Sequence, residues 1–420
     1  MDVKIRIKKN ICFRYLTIIV FAIVSEYMVP NQVLYQKIVW VVYSIIAIIF
    51  ILLNQKKYII TQVQTIVIIC VLPLIAIIGY TAIVRAFYEN NYSIIMQSFT
   101  TCMFIITDIL CAATFIFIFR DKAIDAIFYS TVISYIIGLT IVVGKYGIAA
   151  TIQDYIDSLS GLNSQIERND IGTSVVILVM YYIWILIFKL KKDKEHPLMK
   201  IILLLVICIL CGKRSAIIGG IVGLIVVFLI KLGFRFTKKG IFLLSCLIIT
   251  GLFGYLYIIK SGILYMLSIK YDIDSMGRIY VWKWFNDLYS LLPTYLGRGF
   301  QFVHIYMDNF TLDGMVHDFG YMHNTILQLY IELGFYGFIL YFFYNFTIVT
   351  FKINKIFGGL YVLFYLSIYI TTVIIYMTDN VLTYPVYQTT LYVSIFSFGL
   401  FVMHKKQGDN NESKCHCSGV

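Results

Sequence analysis

Apolar residues run along this chain in long blocks separated by short basic or polar clusters. Most blocks reach about 18 residues, enough to cross ~30 Å of hydrocarbon as a helix. Only helices or closed barrels satisfy their backbone in lipid, and the period-2 alternation of a barrel is missing here. The pattern predicts twelve spans: 11–28, 38–53, 59–82, 94–119, 123–143, 171–188, 201–211, 216–230, 241–259, 324–350, 356–377 and 386–403. The expected fold is all-α, a polytopic membrane protein with a single membrane domain over 1–403 and a polar tail over 404–420. One large extramembrane loop, about 260–323, interrupts the pattern.

Composition agrees: 60% of residues are hydrophobic, 13% are charged, and the mean hydropathy is +0.86. Together these exclude a soluble domain. The net charge of +12 comes from a one-sided distribution of basic residues. Lys4 to Lys9, Lys56 and Lys57, Arg120 and Lys122, the Lys189–Lys200 cluster, Lys231 to Lys239, Lys352 and Lys355, and the tail lysines share one side. The positive-inside rule makes that side cytoplasmic. Both termini are then expected in the cytoplasm, with the long loop outside. Anionic lipid explains the basic excess without nucleic acid. The first span has a basic start but no small-residue cleavage site after it, so a retained signal-anchor is expected.

The long loop contains no cysteine, so no disulfide framework holds it. Within it, 275–292 reads as an amphipathic helix with Ile279, Trp282, Trp284 and Phe285 on one broad face, suited to lying at the headgroup level. Pro293 ends it, and Gly297-Arg298-Gly299 makes a bend. A smaller outer segment, 144–170, reads as a short surface helix and a turn. Cys415-His416-Cys417 in the tail is too sparse for a metal site and reads as inert.

Charged residues near the membrane supply the candidate chemistry. Lys213 and Arg214 lie between two short apolar runs. A single helix through both would bury two charges at ~2.5–3.5 kcal/mol each and would turn the basic 231–239 loop outward. Two short spans meeting at an outer turn keep the charge bias and recess the pair in a wet hollow; the alternative is cations snorkelling at an ordinary interface. Arg278 and Arg298 flank the amphipathic segment, either as phosphate-binding forks or as solvated surface groups. His323 stands at the start of the tenth span, with Asn324 beside it as a base and its neighbour, or as an interfacial His and a helix cap. Asp272 and Asp274 form a common loop pair with a minority metal reading. Asp108 and Glu332 are expected to be paired structural carboxylates, and His317-Asp318 an incidental loop pair or a proton relay.

Three separated stretches carry a family resemblance: GKRSA at 212–216, MGRIYVWKWF with LGRGF at 276–285 and 296–300, and HNTILQLYIELGFYGFILY at 323–341. In order and spacing over about 200–351, they resemble the O-antigen polymerase and ligase family. The N-terminal half agrees in hydropathy alone. The resemblance implies a metal-independent glycosyltransferase without cofactor, with a large outer catalytic loop. It would move a glycan from undecaprenyl diphosphate to an acceptor hydroxyl. It implies His323 as general base, Arg214 and Arg278 as diphosphate ligands, and Lys213, Arg298, Asn324 and His317 as supporting residues. Implied partners are undecaprenyl-diphosphate-linked oligosaccharides, membrane lipids, a flippase and a chain-length regulator.

The leading expectation is a repeat-unit polymerase for O-antigen, capsule or exopolysaccharide. The rival within the class is a ligase acting on a lipid A core. A transporter is the rival outside it, and would call for matched halves and broken helices near the midplane. Only five prolines occur, and the polar residues gather in one loop.

Overall fold

The computed structural model describes residues 11–26, 29–53, 58–88, 92–159, 171–190, 196–233, 237–271, 278–309 and 321–417. Among these the chain is all-helical. The elements are α1 (Ile11–Ser25), α2 (Gln32–Leu53), α3 (Tyr58–Phe87), α4 (Tyr92–Phe119), α5 (Ala123–Tyr146) and α6 (Ile148–Leu159). They continue with α7 (Gly172–Ile187), α8 (Pro197–Leu210), α9 (Arg214–Lys231), α10 (Lys238–Lys260), α11 (Ile263–Lys270), α12 (Arg278–Trp284) and α13 (Phe302–Asn309). The last four are α14 (Thr325–Phe343), α15 (Val349–Phe357), α16 (Gly359–Tyr376) and α17 (Pro385–Cys417). Each of the twelve expected spans meets an apolar helix, so the protein is a polytopic membrane protein.

Burial separates centre from periphery. The span of α17 is 83% buried and that of α16 72%, against 22% for α10 and 28% for α2. Every residue of α7 from Gly172 to Ile185 is buried, as expected of a helix apolar all round. Aromatic rings lock this trio: Phe364 stacks on Phe398 at 3.8 Å, and Trp184 stacks on Phe188 at 4.4 Å. The Trp184 indole N–H donates to Ser367 Oγ at 2.8 Å. At the end of the bundle where α5 and α8 begin, Lys200 bridges Asp125 at 2.7 Å, and Tyr182 donates to the same oxygen.

Close approach of α9 to α16 depends on small residues. Gly219 and Gly223 face Thr371 and Ile375 of α16, and a Cβ on Gly223 would sit 2.7 Å from Met180 Cε. Without a hydrophobic drive between helices in lipid, such close van der Waals packing is what holds them together.

The pair of charges at 213–214 belongs to a tight turn between two short helices, as expected: α8 ends at Leu210, Gly212 takes φ +64°, and α9 starts at Arg214. Other expectations change. The tenth span passes through a π-helical segment, Tyr344–Ile348, and continues as α15 to Phe357. The amphipathic helix is shorter than expected. It runs from Arg278 to Trp284 and tightens to a 3-10 turn, Phe285–Leu288. Its apolar face turns inward rather than onto lipid, with Trp282 6% and Phe285 0% exposed. The loop also holds α11 and α13, which the apolar pattern does not announce. The surface helix of the smaller segment is α6. The positions Asp272, Asp274, His317 and Asp318 lie outside the described residues.

Candidate functional site

Three linkers meet at one end of the bundle: the 211–213 turn, the segment entering α14, and the turn joining α16 to α17. The α9–α16 contact delivers the first to the third. Gly172 at the start of α7 completes the approach, since a Cβ there would stand 3.0 Å from Cys211 Cβ and 3.1 Å from Lys213 Cγ.

The start of α14 is fastened to the same turn. Asn324 caps the helix by accepting from Leu327 N–H at 3.0 Å, while its own N–H donates to Asn380 Oδ1 at 3.1 Å. Its Nδ2 donates to the Tyr255 hydroxyl, which donates on to the Met377 carbonyl. Thr325 Oγ1 donates to the Asp379 carbonyl at 2.8 Å. Capping was the bland reading of Asn324, and it is the role the structure gives it. The network leaves His323 in the left-handed region, at φ +51°. That conformation costs a non-glycine residue on the order of 1–3 kcal/mol and survives only where the surroundings enforce it.

Asp379 is the centre of the arrangement. Its side chain is 2% exposed. Oδ1 accepts from Asn380 N–H at 2.8 Å and Tyr384 OH at 2.9 Å, and lies 3.6 Å from His323 Nδ1. Oδ2 lies 3.6 Å from Lys213 Nζ. The imidazole contact is a little longer than a hydrogen bond, so His323 Nδ1 is held by proximity to a charge. Burial alone would raise the carboxyl pKa. His323, the Lys213 ammonium, the Asn380 N–H and the Tyr384 hydroxyl outweigh it and hold the group well below the usual carboxylate range.

The amphipathic segment is pinned to the site at both ends. Arg278 donates to the Thr378 carbonyl at 3.0 Å, next to Asp379, and Trp282 donates to the Met322 carbonyl at 2.8 Å, next to His323. Lys213, Arg278, His323 and Asn324 are thus brought together. Arg214 follows Lys213 as the exposed first residue of α9. Arg298 goes elsewhere: its Nε reaches the Leu288 carbonyl at 3.4 Å, and its guanidinium lies 5.1 Å from the Tyr88 ring. Its part is to fold the loop.

The remaining signature residues interlock. Gly297 and Gly334 take φ +88° and +66°, and a Cβ on Gly297 would meet Glu332 O and Gly334 N at 2.5 Å. Arg298 N–H donates to Ile331 O and Gly299 N–H to Glu332 O, so the bend zips onto the kink in α14. Glu332 is fully buried and accepts from Val303 N–H and Gln328 Nε2, both at 3.2 Å. Both it and Asp108 were expected to be paired carboxylates. Among the described residues neither has an ion pair; Glu332 has neutral donors instead.

Beside His323 opens a cavity of about 570 Å³. Its walls include Gln36 of α2, Gln97 of α4, His304 of α13, and Asn380 and Tyr384 from the Asp379 turn. His304 stacks on Tyr321 at 5.6 Å, and Tyr321 meets His323 edge-on at 6.3 Å. Asp379, Tyr384 and His304 are absent from the sequence-based candidates. A signal for Asp379 existed, because it is the one charged residue in the linker 377–384. Among the described residues no group of three or more His, Cys, Asp or Glu side chains is arranged to hold a metal ion.

Residues 199–342 match a family model described as O-antigen ligase. Over that stretch the chain is similar to the O-antigen polymerase and ligase family. The match spans the turn with Lys213 and Arg214, the whole extramembrane loop, and His323 with most of α14. Asp379, Asn380 and Tyr384 fall beyond it, so the family segment is completed by the α16–α17 turn. No curated protein matches the chain.

Proposed function

We propose that the protein is a glycosyltransferase that moves a glycan from a polyisoprenyl diphosphate to an acceptor hydroxyl at the outer face of the cytoplasmic membrane. The observation that carries this reading is the contact between His323 and the ionised, buried Asp379, set beside Lys213 and Arg278 within a family-matched segment.

The chemistry follows from the geometry. With Nδ1 turned to Asp379, the Nε2 lone pair is the one left for a substrate proton. The acceptor hydroxyl gives its proton to Nε2 as its oxygen attacks the anomeric carbon, and the bond from that carbon to the diphosphate oxygen breaks. General-base assistance of this kind is worth ~10²–10⁴-fold. Negative charge grows on the departing lipid diphosphate, where the Arg278 and Arg214 forks and Lys213 offer fixed positive charge. Asp379 keeps the ring oriented and favours the imidazolium that forms.

A repeat-unit polymerase, transferring the growing glycan from its lipid carrier onto the non-reducing end of a new lipid-linked repeat unit, is the reading we adopt. The family description names a ligase, which favours transfer to a lipid A core as the second reading. The purified protein, given a lipid-linked oligosaccharide donor, decides between them. A ladder of longer lipid-linked products with a second lipid-linked unit as acceptor supports polymerase, whereas product on lipid A core alone supports ligase. No transfer to either acceptor would refute the glycosyltransferase reading.

A further inference from the structure

The cations and the cavity lie in different directions from His323. Lys213, Arg214 and Arg278 do not line the cavity, whose walls combine amides, hydroxyls and aromatic rings with apolar side chains and the Asp108 carboxylate. Its exposed lining residues are Val33 and Lys37 of α2, Thr100 of α4 and Tyr321 just before α14, which places the mouth among those elements. The volume of about 570 Å³ falls within the ~300–1,000 Å³ of ordinary ligand sites.

Two lining groups are buried without partners. Ser25 Oγ makes no hydrogen bond, and Ser25 is 7% exposed. Gln36 is 8% exposed, and its amide has no hydrogen bond to any described residue. A buried polar group left unpaired is costly, and a site so lined rejects ligands that lack matching groups. A hydroxyl-rich ligand would satisfy the Gln36 amide. The ring faces of Trp40 and Phe104 supply flat apolar surface for the C–H faces of a sugar. An acyl chain would leave the Gln36 amide unpaired, and a diphosphate would face the buried Asp108 carboxylate and a Lys37 ammonium already 5.1 Å from the Phe104 ring.

We infer that this cavity binds the uncharged saccharide of the acceptor, with Gln36 and Gln97 as specificity-determining residues, while the diphosphate-bearing donor occupies the cationic side of His323. The inference rests on the transferase reading above. It places donor and acceptor on opposite faces of one imidazole, as a base that serves the acceptor hydroxyl requires.

The test uses lipid-linked repeat units extracted from source cells lacking this protein. Mild acid releases the free saccharide, and undecaprenyl diphosphate serves as the second probe. Binding of each to the full-length protein in detergent is measured for wild type, Gln36→Leu and Gln97→Leu; Gln97 is only half-buried, which guards against a folding failure. Saccharide affinity should fall about tenfold in each variant while undecaprenyl diphosphate affinity holds. Loss of diphosphate affinity with saccharide binding intact would overturn the inference, as would unchanged binding of both. Wild type that transfers glycan yet binds no free saccharide would also overturn it, leaving the transferase reading in place. Wild type that transfers nothing would overturn that reading itself.

Discussion

Asp379 holds His323 from the buried side: its Oδ1 stands 3.6 Å from the imidazole Nδ1, and neither residue comes from the same linker. The same carboxylate meets Lys213 through its other oxygen. One group thereby ties the family-matched segment to the α16–α17 turn outside it. If it acts as an orienting partner, Asp379→Asn should lower kcat by at least tenfold, bounded by the ~10²–10⁴-fold of the base it serves. KM for donor should stay within about twofold. Steady-state kinetics check this, and a fall in donor affinity with kcat unchanged would assign Asp379 a purely structural role.

The ionisation of Asp379 also bears on stability. Its folded pKa lies below the unfolded value of ~3.9, so its contribution is complete above that value and is lost as pH falls through the lower folded one. Wild type should therefore melt higher than Asp379→Asn above about pH 5, with the gap closing below about pH 4. Thermal unfolding in detergent at stepped pH is the measurement, and a gap that widens in acid would contradict the sign.

The backbone at His323 separates strain from chemistry. At φ +51° an alanine keeps the strain that a glycine escapes. His323→Gly should be the more stable of the two variants by about 1 kcal/mol, and both should fail to transfer glycan. Chemical denaturation and a transfer assay on the pair test this; chain extension by either variant would remove the base assignment.

Arg278 and Arg214 differ in their surroundings. Arg278 is anchored by the Thr378 carbonyl, whereas Arg214 is exposed. Arg278→Lys loses the planar fork as well as the anchor and should weaken donor binding about tenfold, the equivalent of ~1.4 kcal/mol. Arg214→Lys retains the charge, and full activity there would mean that Arg214 merely snorkels. Donor titration of both variants gives the answer.

Gly223 sits where α9 crosses α16, with Met180 and Thr371 against its Cα. Gly223→Val should cost about 1–3 kcal/mol through overpacking. It should also lower activity, because the helix it displaces carries Lys213. A variant with a wild-type melting point would show that the contact is not close in the working protein.

The spans, the one-sided basic charge and the isolated loop are local properties of the chain, since hydropathy and length already decide what lipid accepts. The His323, Arg278 and 212–216 stretches were legible for the same reason: polar groups at the edge of apolar runs need an explanation. Their convergence was not legible. It depends on how near α9 lies to α16, a distance set by two glycines and the atoms facing them. It depends equally on which way the amphipathic segment turns, which Trp282 and Met322 decide together. Asp379 stayed hidden because a single carboxylate in a short linker acquires meaning only from neighbours distant in sequence. The sequence determined a polytopic helical membrane protein with chemistry gathered at one loop. Tertiary packing alone chose the partners at that loop, because side-chain contacts between helices have no signature along one chain.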